Sequence, residues 1–357
     1  MSETIDQILR DEHIIVCAGS GGVGKTTTSA ALAIRAAELG RRVVVCTIDP
    51  ALRLAQAMGL EELDNTPRRV EGISGGGELW AMMLDTRRTF DDLILELTTK
   101  ERAQAIFDNP FYDQIAGTLS GTHEYMAMAK LWELHELGRY ELIIVDTPPT
   151  RSALDFLDGP RRLGDFLEGR LLRMLLLPAF RAGRRGMSLV NLGTRAALKA
   201  MTKITGSDLL SDVADFLKQF DGMYDDFRKR SQQVRALLGG RHTRFLIISA
   251  PTASTLSEAR SFVRRLLSER MMVGGIVVNR SHPIPEISLP DTAPGLGEAV
   301  SRYSELRRLS EREEDLIART LAGLPGVSVH RVRELDEPVL DLPGLRDLAR
   351  ILTASAD

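Results

Sequence analysis

A glycine-rich segment near the N-terminus carries the residue types that bind phosphate groups. It reads Gly19-Ser20-Gly21-Gly22-Val23-Gly24-Lys25-Thr26-Thr27 and fits the pattern G-x-x-x-x-G-K-[ST]. Glycines at these spacings let successive backbone N–H groups turn toward phosphate oxygens, and a helix that begins here adds its positive dipole end. We expect the whole segment to bind a nucleoside triphosphate. Lys25 is the candidate binding and catalytic residue on the β- and γ-phosphates, and the Thr26 hydroxyl is a candidate Mg²⁺ ligand.

A first acidic residue follows an apolar run at Ile48-Asp49-Pro50-Ala51. This position places Asp49 at the carboxyl edge of a sheet, where open α/β sheets bind their ligands. Asp49 is therefore a candidate catalytic residue that orients or deprotonates the water attacking the γ-phosphate. The same residues also suit a helix cap, because aspartate caps helices and proline favours the first helical position. The two interpretations are compatible, and both stay open.

A second acidic strand end reads Ile143-Ile144-Val145-Asp146-Thr147-Pro148-Pro149-Thr150. An aspartate at the end of an apolar strand holds Mg²⁺, directly or through a water, in phosphoryl-transfer enzymes. We therefore predict Asp146 as a metal residue together with Thr26. The proline turn that follows is a candidate switch that senses the γ-phosphate and passes its state to helices starting near Ser152. A simple capped turn is the alternative.

A third strand end, Asn279-Arg280-Ser281-His282, bears on the choice of base. Guanine-binding relatives use N-K-x-D, in which the aspartate accepts hydrogen bonds from the base. Here arginine replaces the lysine and histidine replaces the aspartate, so we predict adenine, with Asn279 as a contact. Pro251, at another strand end, is a candidate wall of the same pocket. A polar strand end without any base contact is the alternative.

The elements that must position these residues are short, β-branched apolar runs. Seven such runs predict strands at 13–18, 42–48, 79–84, 141–146, 243–250, 272–279 and 327–332. Continuous apolar strands that alternate with helices indicate a parallel sheet covered on both faces. The predicted fold class is α/β, a doubly wound, mostly parallel P-loop NTPase sheet of the deviant Walker A type, with an inserted helical subdomain. The core comprises 1–150 and 241–357 with a helical excursion at about 87–138, and the helical subdomain comprises 151–240.

Composition excludes several classes of protein. The chain has 357 residues, 46 Lys+Arg against 49 Asp+Glu and a net charge of −3, which provides no general basic field for nucleic acid. Its two cysteines lie in apolar runs, which indicates buried thiols rather than a disulfide framework. The N-terminus lacks the pattern of a secretory signal, and no apolar stretch reaches the roughly 20 residues of a membrane span. We expect a cytoplasmic protein, with a peripheral membrane contact left open.

Four segments together resemble one known family. The segments GSGGVGKTT, IDPALRLAQAMG, DTPPT and VVNR, in this order, are similar to the ArsA-type ATPases, and nearest to their single-domain actinobacterial branch. That family includes the catalytic subunit of arsenite pumps and the targeting ATPase for tail-anchored membrane proteins. The resemblance implies Mg²⁺-dependent ATP hydrolysis, with Asp49 as the catalytic aspartate and Asn279 as the adenine contact. It also implies that residues 146–150 form the second switch and that two chains form a face-to-face dimer.

The chain departs from the family pattern at two points. The family usually has a lysine that reaches across the dimer at the position of Ser20. A homodimer would lack this charge at both sites, which predicts either a slow ATPase or a heterodimer with a lysine-bearing paralogue, and we favour the heterodimer. The chain also lacks the thiols that bind arsenite and the C-x-x-C pair that binds zinc, so arsenite stimulation is not expected.

The helical region suggests what the ATPase acts on. Seven arginines between Arg161 and Arg185 surround an apolar LLRMLLLP core. Such a segment suits the rim of a groove for an apolar helix or a membrane surface, and an ordinary helical subdomain is the alternative. We predict a dimeric ATP switch that handles a hydrophobic client or a membrane-protein partner. A ParA/MinD-like positioning ATPase and the ATPase subunit of an anion pump are the alternatives.

Overall fold

The structure is a computed structural model. It describes residues 3–48, 53–110, 112, 122–148, 216, 219, 223–283, 297–324, 326–335, 337–339 and 341–354. The strands are β1 Ile14–Gly19, β2 Arg42–Thr47, β3 Arg68–Val70, β4 Glu78–Met83, β5 Leu142–Asp146, β6 Thr243–Ser249, β7 Val273–Ser281 and β8 Val329–Arg333. The helices are α1 Ile5–Asp11, α2 Lys25–Glu38, α3 Arg53–Ala57, α4 Thr86–Leu97, α5 Lys100–Phe107, α6 Thr122–Glu136, α7 Tyr224–Leu238, α8 Ala253–Ser268, α9 Gly297–Leu321 and α10 Leu342–Ala354.

The strands form one sheet in the order β3-β4-β2-β5-β1-β6-β7-β8. All neighbours are parallel except β3 and β4. The predicted α/β fold with a mostly parallel sheet is confirmed, and each of the seven predicted strands matches an observed one to within two residues. The sequence did not predict β3. This edge strand is only Arg-Arg-Val, and two of its three side chains are exposed, so it has no apolar run to detect.

The central strands are covered on both faces. Every residue of β1, β5 and β6 is buried, which explains why they read as continuous apolar runs. Helix α2 covers one face with a closely packed alanine surface, because small side chains allow a helix to approach a sheet closely. The C-terminal helix α10 packs against α2 with four buried side chains, Leu345, Leu348, Ala349 and Leu352.

The chain divides into two compact units. The first comprises Met1–Leu84, Leu131–Phe156 and Arg235–Asp357 and contains the sheet. The second comprises Asp85–Lys130 and Leu157–Val234, and its described part is helical around buried aromatic rings that include Phe90, Tyr112 and Phe227. The predicted subdomain at 151–240, including the arginine-rich stretch, lies mostly outside the described residues. Its boundaries therefore stay a prediction.

The described helices show no membrane-spanning segment. None of them combines the length and the apolar character that a bilayer crossing requires. The longest, α9, has 25 residues and is rich in charge.

Candidate functional site

The glycine-rich loop connects β1 to α2 at the carboxyl edge of the sheet. Strand β1 ends at Gly19 and α2 begins at Lys25. Gly22 and Gly24 have φ values of 78° and 92°, a left-handed conformation that side chains other than glycine rarely adopt. A helix that starts directly after such a loop can bind an anion with its first N–H groups. The local fold therefore suits the predicted phosphate site.

Asn279, at the carboxyl end of β7, braces this loop. Its Nδ2 donates to the carbonyl oxygen of Val23 at 2.9 Å, and its Oδ1 accepts from the backbone N–H of Arg280 at 3.0 Å. A Cβ atom at Gly24 would collide with the side-chain amide of Asn279. Only glycine therefore fits at this position of the loop. The sequence predicted Asn279 as a base contact, and the structure adds a bracing contact to the loop that the motif did not indicate.

Lys25 and Ser20 are joined within the loop. The Lys25 side chain is buried, and its Nζ donates to the Ser20 carbonyl oxygen at 2.8 Å. The Ser20 hydroxyl donates to the carboxylate of Glu258 on α8. A carboxylate of the same chain therefore lies beside the position where the family has a lysine. Nothing in the sequence pattern indicated Glu258, because an exposed glutamate on a helix carries no signal of its own.

The predicted metal residues Thr26 and Asp146 meet, together with Thr47, in a network in which Thr47 and Asp146 are buried and Thr26 is half-buried. The Thr26 hydroxyl donates to Asp146 Oδ2 at 2.6 Å, and the Thr47 hydroxyl donates to the same oxygen at 2.8 Å. Asp146 has no exposed surface. The contact forms because β5 and α2 both place these residues at the carboxyl edge, 120 positions apart in the chain.

The donor set suits magnesium rather than a soft metal. One carboxylate and one hydroxyl are hard oxygen ligands, and Mg²⁺ typically takes one or two carboxylates together with substrate phosphates and waters. Within the described ranges, no group of three or more His, Cys, Asp and Glu side chains could hold a metal without such help. The residues present therefore fit a magnesium ion that arrives with a nucleotide.

The two cysteines are both buried free thiols, as the sequence indicated. Burial raises the pKa of Cys17 to about 12, so its thiol stays protonated at neutral pH. A protonated thiol is neither a good nucleophile nor a metal ligand. Cys17 contributes through its backbone instead, because its carbonyl oxygen accepts from the N–H and the hydroxyl of Thr147 at 3.2 and 2.9 Å.

His282 stands where guanine-binding relatives have an aspartate, and its ring is held by two carboxylates. Nδ1 lies 3.0 Å from Glu313 on α9, and Nε2 lies 3.1 Å from Glu334 after β8. The backbone N–H of His282 also donates to Glu313 at 2.8 Å. Both ring nitrogens of His282 therefore contact carboxylates of the same chain. This arrangement is compatible with the prediction that the site does not select guanine.

Other predicted residues lie at the edges of the described chain. Asp49, Pro149 and Thr150 are outside the described residues, so the catalytic role of Asp49 stays a prediction. Its neighbour Ile48 donates from its backbone N–H to the Asp146 carbonyl oxygen at 3.2 Å, which brings β2 to the same edge. Pro251 is half-buried, lies two residues after the end of β6 and precedes Thr252, the cap of α8.

A glycine loop between a parallel strand and a helix, with an aspartate at the end of the neighbouring strand, defines the class of P-loop nucleotide hydrolases. The chain matches the family model described as anion-transporting ATPase (ArsA_ATPase) over residues 12–292. It belongs to this ArsA-type family, as its motifs suggested, and it is an ATPase.

Individual relatives support the assignment. ATPase ARSA2 of Chlamydomonas reinhardtii is 31% identical over 283 residues, which is 78% of this chain and 70% of the relative. ATPase GET3 of Podospora anserina is 28% identical over 284 residues, 78% of this chain and 77% of the relative. The ATPase ASNA1 homolog of Dictyostelium discoideum is 24% identical over 285 residues, 78% of this chain and 75% of the relative.

Proposed function

We propose that the protein is a Mg²⁺-dependent, dimeric ATP switch whose nucleotide state controls the binding of a hydrophobic client or a membrane-protein partner. The observation that carries this proposal is the contact of Thr26 with Asp146 at 2.6 Å, directly behind the glycine loop. It joins the residues of the two motifs that phosphoryl-transfer enzymes use for the metal. The assignment to the actinobacterial branch of the family stays a prediction.

The nucleotide site comprises the loop residues 19–27. Lys25 binds the β- and γ-phosphates, and it approaches them from a buried position fixed by the Ser20 carbonyl oxygen. Thr26 and Asp146 hold Mg²⁺, which supplies positive charge that neutralises the phosphate oxygens in phosphoryl transfer. Asp49 orients the attacking water.

Adenine is the proposed base. His282, at the position of the guanine-reading aspartate, is held by Glu313 and Glu334. Asn279 and Pro251 are the proposed contacts on the base side. The Asn279 amide still has a second N–H after its bond to Val23, so bracing the loop and contacting the base are compatible.

In the proposed switch, the coupling between nucleotide state and client binding starts at Asp146, the proposed metal ligand. Thr147 and Pro148 follow Asp146 directly, and the Thr147 hydroxyl is anchored on the Cys17 carbonyl oxygen at 2.9 Å. A change at the γ-phosphate is thereby passed to the chain that continues toward the predicted subdomain at 151–240. The family resemblance supports a hydrophobic client there.

The residue at position 20 determines which partner chain we propose for the dimer. Serine cannot neutralise phosphate charge, and its hydroxyl is bound to Glu258. We propose a heterodimer with a paralogue that supplies the missing lysine, and a slow homodimeric ATPase as the second arrangement. Lys25, Thr26 and Asp146 are all present in this chain. Their presence favours an active nucleotide site, which a second chain would complete by supplying the lysine.

An Asp49→Asn variant tests the switch. Without its general base, the variant should keep ATP bound and should therefore hold both client and partner chain. The measurement is affinity capture from the source cell extract with ATP and Mg²⁺, followed by mass spectrometry and light scattering of the complex. Lys25→Ala, which should not bind ATP, is the matched control. A monomer in all nucleotide states, with identical captured proteins for both variants, would contradict the proposal.

A further inference from the structure

No sequence motif assigns a role to Thr47, a hydroxyl residue at the end of an apolar run. We propose that Thr47 is a positioning residue of the magnesium site, which holds the Asp146 carboxylate in its metal-binding orientation. The inference rests on the proposed function of Asp146 and names a residue on which that function depends. Thr47 does not itself contact the metal or the nucleotide in this arrangement.

The position of Thr47 is fixed by the sheet. Strands β2 and β5 are parallel neighbours, and Thr47 pairs directly with Asp146 in their register. Its carbonyl oxygen accepts from the Leu84 N–H at 2.8 Å, and the next residue, Ile48, donates to the Asp146 carbonyl oxygen at 3.2 Å. Backbone contacts therefore hold Thr47 from both sides. Its β-branched side chain also has few rotamers, so the hydroxyl has a defined direction.

The hydroxyl of Thr47 binds a fully buried carboxyl group. Thr47 is 1% exposed and Asp146 is 0% exposed, and the Thr47 Oγ1 to Asp146 Oδ2 distance is 2.8 Å. A buried carboxylate needs hydrogen-bond donors, because a charge removed from water is costly unless it is compensated. Such donors also fix the plane of the carboxylate, and with it the direction of its lone pairs.

Thr26 and Thr47 donate to the same oxygen but have different tasks. Under the proposed function, the Thr26 oxygen also ligates Mg²⁺, so its orientation depends on whether the metal is bound. Thr47 lies on strand β2, whereas Thr26 lies on helix α2, and Thr47 is not a proposed metal ligand. It therefore keeps the carboxylate in place before and after the metal arrives, which lowers the reorganisation that metal binding requires. Outer partners of metal ligands typically change metal affinity by about 10–100-fold when they are mutated.

The test replaces the hydroxyl without changing the shape of the side chain. We expect Thr47→Val to raise the Mg²⁺ concentration for half-maximal binding of a fluorescent ATP analogue by at least about 10-fold. Thr47→Ser keeps the hydroxyl and should restore the wild-type value. Binding of the analogue in EDTA should be equal in all three proteins. A purely structural hydroxyl would change stability and leave the magnesium dependence as it is.

Thr243→Val is the matched control. Thr243 is also buried, and its hydroxyl donates to the Leu237 carbonyl oxygen at 2.8 Å, but it begins β6 at the opposite edge of the sheet. This variant should leave the magnesium dependence unchanged. If Thr47→Val does not fold, Thr47→Ala serves as the second variant with the same expected result.

The Asp146→Asn variant tests the proposed metal site separately from the proposed role of Thr47. If Asp146→Asn raises the Mg²⁺ requirement and Thr47→Val and Thr47→Ala do not, the role of Thr47 is wrong while the proposed metal site stands. If Asp146→Asn has no effect, the proposed metal site itself is wrong. If Thr47→Ser fails to restore binding, the hydroxyl is not the active feature of the residue.

Discussion

The amino and carboxyl edges of the sheet hold buried charge in different ways. At the amino edge, before β1 and at the start of β6, the buried Glu12 and Arg244 form an ion pair at 2.9 Å. Arg41 closes the same edge by donating to the carbonyl oxygens of Glu12 at 2.7 Å and of Glu141 at 2.6 Å. At this edge, Glu12 and Arg244 therefore pair with each other, and Arg41 binds backbone carbonyl oxygens.

At the carboxyl edge, the buried Asp146 is held by the hydroxyls of Thr26 and Thr47. Both hydroxyls donate to the same oxygen, Oδ2, and neither carries a charge of its own. The left-handed glycines of the loop add backbone N–H groups at the same edge. Under the proposed function, the carboxyl edge is completed by a ligand, whereas the amino edge stabilises the fold.

The largest effect is expected from Asp49→Asn. Under the proposed function this change removes the general base, so it should slow steady-state ATP hydrolysis by at least about 100-fold and leave ATP affinity unchanged. Phosphate release and an equilibrium ATP titration measure the two quantities. Hydrolysis at the parental rate would make Asp49 a helix cap only.

A second effect concerns position 20 at the carboxyl edge, where the chain has Ser20 instead of the lysine that the family resemblance predicts. A lysine at position 20 would lie within reach of the Glu258 carboxylate, which binds the Ser20 hydroxyl, and that carboxylate would capture the new ammonium group. Because this capture competes with the action of the lysine on phosphate, we expect Ser20→Lys to raise ATPase activity only in part, and Ser20→Lys with Glu258→Gln to raise it further. The combined gain should be at least about 10-fold, since a cationic stabiliser can contribute about 10³ to phosphoryl transfer.

Two controls accompany this series. Glu258→Gln alone measures the effect of the lost carboxylate, and the wild type mixed with a lysine-bearing paralogue measures completion of the site by a second chain. Brisk hydrolysis by the wild type alone, unchanged in every variant and in the mixture, would show that the missing lysine does not limit the rate.

At the amino edge, Arg244→Met should lower the free energy of unfolding by about 3 kcal/mol, because it removes the arginine of the ion pair and leaves the buried Glu12 with only the more distant His242, at 3.9 Å. ATP affinity should not change. Urea unfolding and the ATP titration measure the two effects, with Glu3→Gln as a control, since Glu3 is a more exposed partner of the same arginine. A large loss of ATP affinity would break the proposed division between the edges.

The smallest expected effect is a pH dependence of stability at His330, on the amino half of β8. Burial against Gly275 lowers the pKa of His330 below its usual 6.5, so the folded state binds fewer protons than the unfolded state. Stability from this group is present above pH 6.5 and is lost as the pH falls through the lowered pKa. Urea unfolding between about pH 7.5 and 5.5 should show a shallower decline for His330→Gln than for wild type. Parallel curves would contradict this assignment.

The sequence predicted those parts of the molecule that depend on local pattern. Apolar runs identified β1 and β5, and the glycine motif identified the loop. Contacts between distant elements were not predictable: Thr47 lies 99 residues from Asp146, Ser20 lies 238 from Glu258, and Asn279 lies 256 from Val23. Each depends on which strands become neighbours in the sheet, and a single threonine, glutamate or asparagine does not reveal its partner.

A direct titration of the protein with ATP and GTP in the presence of Mg²⁺ tests the central claim, that the carboxyl edge is a magnesium-dependent adenine nucleotide site. The wild type should bind ATP at least about 10-fold more tightly than GTP, the scale of one lost hydrogen bond of about 1.5 kcal/mol. Lys25→Ala should lose ATP binding, because each charge-assisted bond of the lysine contributes about 1.5–3 kcal/mol. Equal affinity for GTP, or undiminished ATP binding by Lys25→Ala, would contradict the claim.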